Sequence, residues 1–265
     1  NLVPWTEGQD THSGDSIVVL PWNDIEILEK RLSHGDIAGV IMEPAMCNSG
    51  GIHPKSEYLK RVKETCKSYG CLLIFDETIT GFRFAPGGAQ EFYGVLPDIT
   101  ILAKAIANGF PVAAITGRKD LMSLLTSGKV IHGGTYNSHF LSMIATVKTL
   151  EIFSKKDFYS ELNEKTKLLR EGLEKLFFDY DIRVVLSSFP GFIFCGFGIN
   201  KQPQDYRDLL NLNFKMYISF CHEMIKRGVR ILERGAWFIS IEHTNEIISK
   251  TIEIAKDSIK FVKNN

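Results

Sequence analysis

The chain has 265 residues, 44% of them hydrophobic, enough for one large domain or two modest ones around a sizeable core. Its 31 basic side chains balance 31 acidic ones, so no excess charge recruits nucleic acid or an anionic membrane. The longest apolar stretches are strand-sized, too short for a membrane span. Five cysteines form no CxxC pair and no even framework, which fits reduced thiols in a reducing, cytoplasmic compartment. Seven histidines are scattered with no HxxxH pair, so a metal site has little support. The chain opens on Asn1 with no signal-like segment, as though a leader had been removed or the chain belonged to something longer.

Taken in order, short β-branched runs alternate with helix-length amphipathic stretches, the pattern of an α/β fold. Ile17–Leu20 is the first expected strand, followed by a helix over Asp24–Leu32 and a strand over Ala38–Met42. A helix over Glu57–Tyr69 precedes strands at Leu72–Phe75, Ile99–Ala103 and Val112–Thr116. The run Leu72 to Phe75 is apolar on both faces, as a strand covered by helices on each side must be. A long helix is expected over Ser138–Phe153, then a second one N-capped by Asp157, with Leu162, Leu169, Leu173 and Leu176 on one face. Strands near Val184–Leu186, Phe192–Phe197, Val229–Leu232 and Phe238–Ile241, with helices near Asp205–Arg227 and Asn245–Val262, complete the pattern. The expected organisation is a larger domain over residues 1–150, with a mostly parallel sheet and helices on both faces. A smaller α+β domain over 151–265 follows, joined to it by the long helix.

Two residues stand where chemistry is expected. Asp76 ends the strand Leu72–Phe75, and ligands of open parallel sheets bind at the carboxyl ends of strands. A carboxylate beside apolar residues is costly unless paired, so the structural alternative is a helix N-cap or an ion pair with an arginine such as Arg83. Lys104 follows the strand Ile99–Ala103. Partial burial lowers a lysine pKa and frees its amine to attack an aldehyde; the structural alternative is a snorkelling side chain. Together they suit opposite ends of one ring, a carboxylate on a pyridinium nitrogen and an amine on an aldehyde. His132-Gly133-Gly134-Thr135, before a helix start, adds a place where backbone can approach an anion. The chain has no GxGxxG, GxxxxGK[ST], GxSxG or HExxH, which removes the commonest dehydrogenase, P-loop, hydrolase and zincin signatures.

The segment Ile74-Phe75-Asp76-Glu77-Thr78-Ile79-Thr80-Gly81-Phe82-Arg83 resembles the FDExxTGFR motif of class III aminotransferases, nearest the glutamate-1-semialdehyde aminomutase branch. Gly87-Gly88-Ala89-Gln90, Pro97-Asp98-Ile99-Thr100, Leu102-Ala103-Lys104 and Asn108-Gly109-Phe110-Pro111-Val112 match further family elements in order, as Glu43-Pro44 and Asn48 do upstream. The resemblance implies fold type I and the cofactor pyridoxal 5′-phosphate (PLP), held as an aldimine on Lys104 with Asp76 on the pyridinium nitrogen. It places Thr78 against the ring, where the aminomutases usually have Val, and Asn48 near the phenolic oxygen. Thr135, with Gly134, would reach the phosphate of a neighbouring subunit's cofactor, implying a homodimer. The family's N-terminal third, with its phosphate loop and stacking aromatic residue, is not matched.

Near the C-terminus, Gly235 stands where the aminomutase's active-site glutamate aligns. There and at His132–Asn137 the chain resembles aminotransferases of β-amino or other unusual amino acids, and Arg234 would hold a substrate carboxylate. The expected function is amino transfer between an amino acid and a keto acid or aldehyde. The alternatives are the aminomutase of tetrapyrrole biosynthesis, and a truncated or non-catalytic homologue acting as a partner subunit.

Overall fold

The computed structural model describes residues 6–10, 12 and 14–264. Two sheets organise them. The first runs in order β1 (Gly39–Met42), β2 (Leu72–Glu77), β3 (Ile99–Leu102) and β4 (Ala114–Gly117). β1, β2 and β3 are parallel, and β4 runs antiparallel beside β3. The second sheet, order β5 (Val184–Phe189), β6 (Phe192–Phe197) and β7 (Ala236–Phe238), is antiparallel. The expected α/β, mostly parallel sheet followed by an α+β segment is the observed architecture.

Alternation along β2 sorts its side chains onto two faces. Leu73 and Phe75 point into a core made with α1 (Ile25–Leu32) and α2 (Tyr58–Ser68). α1 forms because Asp24 accepts the Ile27 amide at 3.1 Å, acid and base sit at the proper ends, and Ile25, Leu28 and Leu32 share one buried face. The opposite face, carrying Leu72, Ile99, Ile101 and Ile115, borders an open apolar cavity of about 1120 Å³. Ile41 and Ile115 on this sheet are 62% and 51% exposed. α4 (Lys119–Thr126) and the start of α5 (Phe140–Phe153) border that cavity. On the second sheet, α6 (Phe158–Asp179), α7 (Phe214–Lys226) and α8 (Asn245–Asn264) close a core around Leu173, Phe177, Phe197, Phe220 and Ile259.

Several expected elements moved. Ile17–Leu20 is not a strand: among the described residues no strand pairs with it, the Ile17 amide closes a turn on the Gly14 carbonyl at 3.1 Å, and Val19 is 69% exposed, so β-branched composition alone does not suffice. Val229–Leu232 joins no strand among the described residues; the Val229 amide instead closes α7 on the Met224 carbonyl at 2.9 Å. The Phe238–Ile241 strand is the earlier β7, and Val112–Thr116 is shifted to β4. The helix expected over Asp205–Arg227 breaks in two. An Asp205–Asp208 capping box closes a 3₁₀ turn at Tyr206–Asn211, and Asn213 then starts α7 by accepting the Met216 amide at 3.1 Å. Asp157 precedes α6 but makes no side-chain cap. α4 and a short α3 (Gly88–Tyr93) were not foreseen.

Candidate active site

β2 runs two residues further than expected, so Asp76 is its penultimate residue and pairs in register with Ile101 of β3. It lies on the same face as Leu72 and Ile74, opposite the α1–α2 core. The Thr78 amide donates to Asp76 Oδ1 at 2.9 Å, a local turn that fixes the carboxylate and leaves Oδ2 free for another donor. Among the described residues Asp76 has no arginine partner; Arg83, the partner proposed in the structural alternative, donates to Gly191 and Ile239 carbonyls instead.

Lys104 starts the 3₁₀ turn Lys104–Ala107 just past β3, with φ 47°. A left-handed lysine is strained, and the same turn ends on Asn108, also left-handed at φ 45°. The strain turns the chain sharply off the sheet while Lys104 remains exposed at the end of β3. Partial burial draws its ammonium below the ordinary lysine range; Asp76 and Glu43 oppose this, and Arg234 and Arg83 add to it.

Glu43, directly after β1, is a third acid-base group of this site, one to which the family resemblance assigns no role. Burial raises its carboxyl, the Asn48 amide donating at 3.1 Å draws it back, and Asp76 raises it further. Glu43, Asp76 and Lys104 thus share one electrostatic neighbourhood at the carboxyl ends of β1, β2 and β3. Asn48 joins it through its backbone, and Thr78 through Asp76. Its signal in sequence was position alone: an acid just past a β1 strand.

Arg234 is exposed and acts on Lys104 through its field. Gly235 beside it is buried, with φ +90°, and a Cβ there would come within 2.6 Å of the Phe194 ring and 2.8 Å of the Cys195 carbonyl. No side chain fits at this position without moving β6. Gly134 and Thr135 lie on an exposed loop, turned by the Asn137 amide on the Gly134 carbonyl at 3.0 Å. No hydrogen bond among the described residues ties them to Asp76 or Lys104. α5 starts at Phe140, not Ser138, with no side-chain cap.

The class III aminotransferase family model matches residues 11–261. The chain belongs to that family. Among curated relatives, it is 35% identical to the glutamate-1-semialdehyde 2,1-aminomutase of Aquifex aeolicus over 263 residues, 97% of this chain and 62% of that protein. It is 38% identical over 255 residues to the enzyme of the same name from Sulfurisphaera tokodaii, covering 94% of this chain and 60% of that one. Among solved structures, an omega-transaminase from Sphaerobacter thermophilus superposes with TM-score 0.90 at 26% identity, over 98% of this chain and 60% of that one. A glutamate-1-semialdehyde aminomutase from Pseudomonas aeruginosa PAO1, at TM-score 0.84 and 21% identity over 92% of this chain and 56% of that one, shares the fold. The class III aminotransferase chain described here therefore spans only 60–62% of the length of these curated relatives.

PLP is the cofactor of class III aminotransferases, and the donor set fits it. Lys104 offers an amine below the usual lysine range for the aldehyde, and Asp76 an uncommitted oxygen for the ring nitrogen.

Proposed function

We propose that this chain carries the PLP-holding and proton-transferring residues of an aminotransferase that moves an amino group between an amino acid and a keto acid or aldehyde. One observation carries the reading: Asp76 and Lys104 stand at the same ends of adjacent parallel strands, with the Asp76 carboxylate acting on the Lys104 ammonium. PLP supplies the electron sink when bound. Lys104 would hold the cofactor's aldehyde, and its amine would serve as the base that takes and returns the substrate proton. Asp76 keeps the ring nitrogen protonated, Thr78 packs on the ring, Asn48 faces the phenolic oxygen, and Arg234 receives the substrate carboxylate. Gly134 and Thr135, exposed on their loop, serve the phosphate of a neighbouring subunit in a homodimer. The exposed apolar residues of α5 beside that loop support the same assembly.

The division at residue 150 into a PLP-binding and a smaller domain is part of this proposal, supported by two separate sheets, although a shared core of Ala45, Ile79 and Phe84 with Phe189, Phe192 and Phe194 packs them together. A cytoplasmic location is supported by cysteines that are all free and buried. Among the described residues no helix is long and apolar enough to cross a membrane.

The mutase reading is favoured by the names of the 35–38% identical relatives. Against it stands Gly235, where the packing leaves no room for a carboxylate. Consumption of the amino donor by the full-length natural protein, measured with and without an added keto acid, separates the two. Strict dependence on the acceptor is expected; turnover of the semialdehyde with no acceptor would establish the mutase instead.

A further inference from the structure

Arg83 lies in the loop after β2, seven residues beyond Asp76, yet its guanidinium serves the other sheet. Nη1 donates to the Gly191 carbonyl at 3.0 Å and the Ile239 carbonyl at 3.3 Å. The Ile239 amide itself donates to Gly191, so Arg83 grips the point where the β5–β6 turn meets the end of β7. The guanidinium also lies 5.2 Å from the centroid of Phe238. Gly191, at φ +65°, makes the room: a Cβ there would be 2.9 Å from Nη1. A second bond joins the loop to the same segment of the chain, the Tyr159 hydroxyl of α6 donating to the Phe82 carbonyl at 3.0 Å.

The chemistry is costly for a purely structural joint. Arg83 Nε is enclosed with no hydrogen-bond partner, and no carboxylate pairs with the guanidinium among the described residues. An apolar side chain of similar volume commonly does as well or better in such a place. What a Met or Leu would lose is the directional grip on two carbonyls of different segments. Those segments lead to the site: Arg234 lies just before β7, and Ser240–Glu242 just after it. The latter share a cavity of about 510 Å³ with Arg83 and Lys104.

We propose that Arg83 is a positioning residue, a clamp that fixes the β7 edge of the second sheet against the Asp76 loop and thereby sets where Arg234 and Ser240–Glu242 stand relative to Lys104. This rests on the aminotransferase reading for its consequence, though not for its geometry. The clamp acts on substrate placement and leaves cofactor attachment intact.

The test compares the full-length natural protein with R83M and R83K, all loaded with PLP. Hydrogen exchange in peptides covering residues 189–193 and 236–243 reads the clamp directly. R83M should speed exchange there about tenfold while other segments keep their rates, and should raise KM for pyruvate about tenfold with kcat within about threefold. R83K, keeping the charge and one donor group, should recover part of both. Unchanged exchange and KM in R83M would overturn the proposal, and so would a uniform rise in exchange with kcat and KM both degraded, the mark of a merely structural residue. If R83M does not fold, R83K decides by the same readouts. Borohydride trapping on the unsubstituted protein separates the two levels: no adduct on Lys104 sinks the aminotransferase reading, while exchange still decides the clamp.

Discussion

Lys104 combines a left-handed backbone with a depressed ammonium; partial burial lowers it first and Arg234 and Arg83 add to this, against the opposing pull of Asp76 and Glu43. The neutral amine is the nucleophile, so PLP capture should accelerate with rising pH and reach half its maximum below the ordinary lysine range. A midpoint at or above that range in stopped-flow absorbance would contradict this assignment. Asp76→Asn should retain the covalent attachment but slow turnover by about 10²–10³-fold, the usual cost of losing one preorganised electrostatic partner; steady-state kinetics on the loaded protein checks it. Gly235→Glu, the change that would restore the aminomutase's residue, meets Phe194 and Cys195 at φ +90°. It should lower stability by about 1–3 kcal/mol in denaturant unfolding and confer no mutase activity.

Elements with strong local signals were legible in the sequence: α1, α2, α6 and α8 from their apolar faces, and β1, β2, β3 from short apolar runs. Elements whose existence depends on a distant partner were not. Ile17–Leu20 and Val229–Leu232 have strand composition and no strand to join, while the weakly patterned α3 exists because of Glu77. That carboxylate is fully buried and accepts the Ala89 amide at 2.5 Å, the Gln90 amide at 3.0 Å and the Thr80 hydroxyl at 2.9 Å. Gly88 completes the cradle, since a Cβ would fall 2.4 Å from Glu77 Oε2. Asp76 and Lys104 were legible because strand ends are; Arg83 was not, because its partners lie 108 and 156 residues away. Glu77→Gln turns an acceptor into a donor against these groups and should cost about 1–3 kcal/mol near neutrality. Burial raises the Glu77 carboxyl above its ordinary value. Its contribution is therefore fullest below the ordinary glutamate range and declines as pH rises through the raised value; that slope should vanish in Glu77→Gln.

At the scale of the molecule, the parallel sheet has α1 and α2 on one face and, on the other, an apolar cavity bordered by α4 and α5, with Phe140 73% exposed and Leu141, Ile144 and Val147 also exposed. A surface this apolar suits the homodimer contact proposed above. If it includes the proposed dimer contact, a Phe140→Asp, Ile144→Asp double substitution should convert the dimer to monomer in sedimentation velocity with the circular dichroism spectrum preserved. A dimer that persists would place the contact elsewhere, and Thr135 would then lose its proposed role on a neighbouring cofactor.

The claim on which the rest depends is that Lys104 is the residue that takes the cofactor. Incubating the full-length natural protein with PLP, reducing with borohydride and mapping the peptides by mass tests it most directly. A single phosphopyridoxyl adduct on Lys104, absent from a Lys104→Ala variant, is the predicted result. A folded, dimeric protein with no adduct, or with the adduct on another lysine, would contradict the account and leave a class III aminotransferase fold without the family's chemistry at this site.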